Sequence, residues 1–179
     1  MLKWISKAVA TGCFWACVAV GLAQAAEYDH TIESKDMTFS WKIEGDHLAA
    51  KVSAKTDGWV GVGFNPSEDM KDANFILGYV KDGEVTLQDD FGVNVTGHKS
   101  DESIGGSSDV QQIGGSENDG VTTIEFAIPL HSGDEKDGTI VADGDTVLLL
   151  AYGAGRDTFH SRHKYRTSMT VNLATGEVK

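Results

Sequence analysis

From position 37 onward the chain is a succession of short segments in which apolar and polar side chains alternate, each closed by turn residues. Met37-Thr38-Phe39-Ser40-Trp41-Lys42-Ile43 alternates and stops at Glu44-Gly45-Asp46. Residues 47–55 repeat the pattern ahead of Asp57-Gly58. Trp59-Val60-Gly61-Val62-Gly63-Phe64 is apolar, aromatic and glycine-rich, and it ends at Asn65-Pro66. Residues 73–81 and 84–91 flank Asp82-Gly83, a strong two-residue hairpin signal, and residues 121–128, 146–152 and 167–173 supply later strands. A period of two, with turns roughly every eight to twelve residues, points to a sandwich or a barrel. Outside the N-terminus no segment sustains a helical period, so the expected fold class is all-β. Residues 96–108 and 114–120, rich in Gly, Ser, Asp and Asn, are expected as surface loops. So is 131–144, where Asp134, Glu135, Asp137 and Asp143 crowd together. The acidic run to Asp145 lacks the ordered Asp-x-Asp-x-Asp-Gly calcium loop with its distal Glu, and it reads as a solvated turn region.

The first residues carry an address. Lys3 and Lys7 precede an apolar, small-residue stretch over 8–23, and Ala23-Gln24-Ala25 is an A-x-A cleavage pattern. This is the layout of a secretory signal peptide, expected over 1–25 with a single domain over 26–179. The alternative is an uncleaved anchor, although the stretch is short for a bilayer span. The expected location is periplasmic or secreted, with no membrane insertion after cleavage. Both cysteines, Cys13 and Cys17, fall inside the signal. The mature chain is thereby denied disulfides, thiolate-held metals, iron–sulfur clusters and covalent C-x-x-C-H haem attachment. With 27 acidic against 15 basic residues the chain carries a net charge of -12. That excludes nucleic acid and anionic membrane surfaces as natural partners, and it suits a basic protein partner as well as simple solubility.

Most enzyme signatures are missing. There is no G-x-S-x-G, no Walker loop and no H-E-x-x-H. Two loops do hold chemistry. Met70 lies in Ser67-Glu68-Asp69-Met70-Lys71-Asp72, a polar connection in which a thioether either packs over one end of the fold or presents its sulfur to a ligand. Packing is the plainer of the two readings. The second is Asp157-Thr158-Phe159-His160-Ser161-Arg162-His163-Lys164-Tyr165-Arg166. Here two histidines sit among aromatic and basic residues that disfavour a dication and favour a carboxylate. Taken together the loops suit haem b, which requires an apolar slot, two axial donors and cations for its propionates. Trp59, Phe64, Phe91 and Phe159 are the candidate walls, and Arg162, Lys164 or Arg166 the candidate propionate partners. His30, His47, His98 and His131 read as structural or solvated, with His98 the most open because its loop is long.

The same residues resemble the DOMON domain family. Trp59-Val60-Gly61-Val62-Gly63-Phe64-Asn65, Met70-Lys71-Asp72-Ala73-Asn74 and Gly78-Tyr79-Val80 are similar to its core block. Asp89-Asp90-Phe91, Thr123-Ile124-Glu125-Phe126 with Pro129-Leu130, Ala151-Tyr152-Gly153 and Asp157-Thr158-Phe159 with His163 and Arg166 are similar to the later blocks. The resemblance implies an immunoglobulin-like antiparallel β-sandwich. In the branch that contains the cytochrome domain of cellobiose dehydrogenase it implies non-covalent haem b held by a Met and a His. Carried over by position, these are Met70 and His163, with His160 as the competitor and Lys164 as the outlier. The function so implied is electron transfer to or from a partner protein, such as a membrane or periplasmic oxidoreductase, without catalysis by the chain itself. Other members bind sugars, so a carbohydrate module with Trp59 and Tyr79 as stacking platforms is the alternative, and a subunit of a larger oxidoreductase is a third reading.

Overall fold

The computed structural model describes residues 27–179, so the signal expected over 1–25, with Cys13 and Cys17, lies outside the described residues. Eleven strands follow in chain order: β1 His30–Ser34, β2 Met37–Glu44, β3 His47–Ala54, β4 Val60–Phe64, β5 Asn74–Lys81, β6 Glu84–Asn94, β7 Gly97–Ser100, β8 Gln111–Asn118, β9 Val121–Pro129, β10 Asp145–Gly153 and β11 His163–Asn172. A short 3-10 turn, Asp101–Ile104, follows β7. One sheet has the order β1-β2-β3-β9-β8 and the other β11-β10-β4-β5-β6-β7. All pairings are antiparallel. The protein is a β-sandwich, one of the two architectures its alternating pattern allows.

Between the sheets lie Phe39 and Trp41 of β2, Phe64 of β4, Phe126 of β9 and Tyr152 of β10, all essentially without solvent exposure. Phe39 stacks on Trp41 with ring centroids 5.2 Å apart, and the Trp41 Nε1–H donates to the Leu173 carbonyl at 2.8 Å. A buried indole needs such a partner, and this one ties the last turn of the chain to the core. The Asp82-Gly83 and Asp119-Gly120 turns both have positive φ at each residue (53° and 82°, 52° and 72°), the backbone a tight hairpin demands.

Two stretches expected as loops contain edge strands. Residues 97–100 form β7 against β6, and residues 111–118 form β8 against β9. Both are outermost in their sheets and mostly solvent-facing. Such strands are held through backbone ladders, and polar or glycine-rich sequence is how an edge avoids pairing with other chains.

At its centre the six-stranded sheet is apolar on both faces. Val60, Val62 and Phe64 point into the core, and so do Leu148, Leu150 and Tyr152 of the neighbouring strand. The alternate positions, Gly61 and Gly63 opposite Ala151 and Leu149, face outward, together with Phe75 and Leu77 of β5. A sheet face that were only solvated would be polar there. This outer apolar face is where the site is built.

Candidate functional site

A cleft of about 1420 Å³ lies over the outer face of the six-stranded sheet. Its floor is Phe75 and Leu77, which are 6% and 5% exposed. These side chains lie flat because the strand beside them carries no Cβ at two positions. A Cβ on Gly61 would overlap Leu77, and one on Gly63 would overlap the Phe75 ring. The glycines of the Gly61-Val62-Gly63 run are therefore steric devices that keep the floor level.

Met70 stands at one end. It sits in the turn between β4 and β5, partly buried, and the turn is drawn onto β6 by two backbone bonds: Asp72 N–H to the Gly92 carbonyl at 2.8 Å and Gly92 N–H to the Ala73 carbonyl at 2.9 Å. Ser67 closes the same turn by donating to Asp72 Oδ2 at 2.6 Å. At the other end are Phe159, His160, Ser161, Arg162 and His163, all lining the cleft. Their loop is anchored by Trp59, whose Nε1–H reaches the Ser161 hydroxyl at 3.0 Å and its carbonyl at 3.1 Å. Gly153 makes room for that indole, since a Cβ there would overlap it. Phe159 rests against Tyr79, with ring centroids 4.9 Å apart at 48°. Arg166, opposite Ala151, adds a second exposed guanidinium to that of Arg162.

A β-bulge decides which residue at the start of β11 faces the cleft. Tyr152 pairs with Tyr165, but Gly153 pairs with His163, so Lys164 is the extra residue. Strict alternation counted back from Arg166 would turn Lys164 outward and His163 inward. The bulge reverses this: His163 lines the cleft, and the Lys164 ammonium lies 6.0 Å above the Tyr152 ring. His163 and the Met70 turn sit at opposite ends of the cleft, with β10, β4 and β5 between β11 and the β6 strand on which that turn rests.

Two of the expected wall residues lie elsewhere. Phe64 shares its face with Val60 and Val62, is 1% exposed and packs edge-on against Phe39 between the sheets. Phe91 pairs with Asn74 and lies beneath the Lys136 ammonium, 5.7 Å from the ring centroid. Neither lines the cleft.

His98, read from sequence as structural or solvated, does line the cleft. Its Nδ1 is hydrogen-bonded to the carboxylate of Asp90, which is 1% exposed, and its ring lies 5.4 Å from Phe75. A carboxylate on Nδ1 fixes the tautomer and leaves Nε2 as the free donor atom, the usual support of a ligating imidazole. His30, His47 and His131 are outside the cleft and bond to Ala174, Asp46 and Thr139.

The DOMON domain family model matches residues 33–153. The chain belongs to the DOMON domain family. Among curated proteins, it is 31% identical over 112 residues to the DBH-like monooxygenase protein 1 of Mus musculus, a match covering 63% of this chain and 18% of the relative. It is 28% identical over 129 residues to MOXD1 homolog 2 of Drosophila melanogaster, covering 71% and 17%. The chain thus spans less than a fifth of the length of these relatives. Among solved structures, the cytochrome b domain of pyranose dehydrogenase from Coprinopsis cinerea superposes with a TM-score of 0.62 at 14% identity, covering 79% of this chain and 78% of that one. The cytochrome domain of Myriococcum thermophilum cellobiose dehydrogenase gives 0.58 at 13% identity, covering 80% of each. At such identities the likeness is one of fold.

Proposed function

We propose that the outer-face cleft of this DOMON domain binds one haem b non-covalently, with Met70 and His163 as axial donors, and that the protein passes electrons to or from a partner protein outside the cytoplasm. The observation that carries this reading is the outer face itself: an apolar floor levelled by Gly61 and Gly63, a thioether at one end, an imidazole at the other, and two guanidiniums at the imidazole end. Those features suit a planar apolar macrocycle that bears carboxylates. The cytochrome domains of similar fold support the same reading.

When bound, haem would supply a one-electron couple, and a thioether donor such as Met70 would raise its potential. The chain's own residues do the rest. Gly92 and Ser67 hold the Met70 turn in place, and the β11 bulge aims the His163 ring outward. Arg162 and Arg166 offer charge-assisted bonds to propionates. Phe75, Leu77 and Phe159 keep water from the face they cover. His160 and His98 are the competing imidazoles of the same cleft.

Two contacts weigh against the sugar-binding alternative. Trp59 is 6% exposed and its N–H is committed to Ser161, while Tyr79 is covered by Phe159. The chain supplies electron transfer in this reading and no catalysis of its own; an enzyme partner or a larger oxidoreductase supplies that. Among the described residues no helix is long and apolar enough to cross a membrane. The acidic surface favours a partner with a basic docking face. The test is titration of the purified protein with haem. Wild type should yield a six-coordinate low-spin spectrum and Met70→Ala a five-coordinate or high-spin one. Equal spectra for the two would remove Met70 from the site.

A further inference from the structure

On the opposite side of β6 from the cleft, three carboxyl groups converge from three separate segments. Asp89 comes from β6, Asp101 opens the 3-10 turn after β7, and Asp137 lies in the β9–β10 connection. One oxygen of each lies within 4.8 Å of the others. Asp89 is 3% exposed and Asp101 is fully buried. Their environment does not satisfy them. Asp89 Oδ2 accepts the Asp109 N–H at 2.9 Å, and Asp137 Oδ1 accepts the Asn74 side-chain N–H at 2.9 Å. Asp89 Oδ1, Asp137 Oδ2 and both oxygens of Asp101 have no partner, nor does the buried amide oxygen of Asn74. None of the ion pairs among the described residues involves the three aspartates.

Unpaired carboxylates out of water are strongly unfavourable unless they take up a proton or a cation. Burial and mutual repulsion push Asp89 up to about 7 and Asp101 up to about 8 and raise Asp137 as well. The fully buried Asp101, aimed into the cluster with both oxygens free, is the feature that an acidic surface patch does not have. We propose that Asp89, Asp101 and Asp137 bind one calcium ion that ties β6, the 3-10 turn and the β9–β10 connection together. Oxygen atoms held at about 2.4 Å from a calcium ion stand up to about 4.8 Å apart, and the three carboxylate oxygens lie within that limit of one another. The donor set is oxygen alone, which selects a hard cation over zinc or copper. Magnesium, at about 2.1 Å and strictly octahedral, demands a tighter cage. The site braces the edge of the sheet that carries His98 and the Met70 turn, and it stands whether or not the cleft holds haem.

The protein, stripped with EDTA and then desalted, is titrated calorimetrically with calcium chloride and melted with and without the ion. One site is expected, and at a hundred times Kd the melting temperature should rise by roughly 5–10 °C. Asp101→Asn, which removes a repelling charge at constant shape, should melt in EDTA at or above the wild-type temperature and lose the response to calcium. Asp137→Asn, at the half-buried member, repeats the comparison in a milder form. Absence of both heat and melting shift up to about 10 mM calcium chloride would overturn the proposal, since weak extracellular sites fill by about 1 mM. An equal response in wild type and both variants would overturn it too, and an equal response to magnesium would overturn the assignment to calcium.

Discussion

The backbone carbonyl of Met70 occupies the space into which a Cβ on Gly92 would project, so β6 and the Met70 turn touch backbone to backbone. The contact fixes the height of the thioether above the sheet. Gly92→Ala should lift the turn, costing about 1–3 kcal/mol of stability as overpacking does, and weaken the sixth ligand. Circular dichroism should show the sheet intact while the haem spectrum turns high-spin. An unchanged low-spin spectrum would separate Gly92 from the placement of Met70.

The bulge at Lys164 makes a second, unusual prediction. Deleting Lys164 removes the extra residue and leaves His163 next to Tyr165 and still opposite Gly153, so strict alternation keeps its ring on the cleft side. The deletion should retain six-coordinate binding, as should Lys164→Ala, whereas inserting a second residue beside Lys164, which shifts the parity of position 163, should abolish it. His163→Ala should lose the low-spin spectrum, with His160→Ala and His98→Ala retaining it. Loss confined to His98→Ala would move the axial donor to the Asp90-supported imidazole.

In the proposed site Met70 and His163 would hold one ligand from opposite ends of a face several strands wide, so binding would require the 65–73 turn and the 154–162 loop to close inward. Haem uptake should therefore slow amide hydrogen exchange in both segments and leave the five-stranded sheet unaffected. Trp59→Phe, which removes the donor to Ser161, should speed exchange in 154–162 before haem is added. Protection absent from either segment would contradict two-ended binding.

Much of this was legible in the chain. Alternation located the long strands, and the Asp82-Gly83 turn located a hairpin, because these depend on neighbours in sequence. The edge strands β7 and β8 were not legible, since their pairing is a backbone property that polar side chains conceal. At the site, Trp59, Met70, Phe159, Arg162 and His163 do come to one cleft. The parity of β4 already excluded Phe64, which shares a face with Val60 and Val62. Phe75 and Leu77 had a signal too, the apolar run Phe75-Ile76-Leu77 with no polar alternation. Nothing local announced the convergence of Asp89, Asp101 and Asp137, because each lies in a different segment.

The aspartate cluster also sets a pH dependence when calcium is chelated. Asp89 and Asp101 titrate at about 7 and about 8 when folded, against an ordinary carboxylate value of 3.8 in the unfolded chain. The folded protein thus holds protons that the unfolded chain releases. Their contribution is fully present below about pH 4 and is lost as pH rises through about 7 to 8. In EDTA the melting temperature should fall between about pH 5.5 and 8.5, and Asp101→Asn should flatten that slope. A wild-type melting temperature that holds or rises across the window would contradict the burial of unpaired carboxyls.

The most direct test of the central claim is the visible absorption spectrum of the purified protein, produced with ample haem and recorded oxidised and then reduced. Sharp, split low-spin bands on reduction, with the pigment extracted into acidified solvent, are expected of haem b held by a thioether and an imidazole. A colourless protein that takes up no added haem would contradict the account.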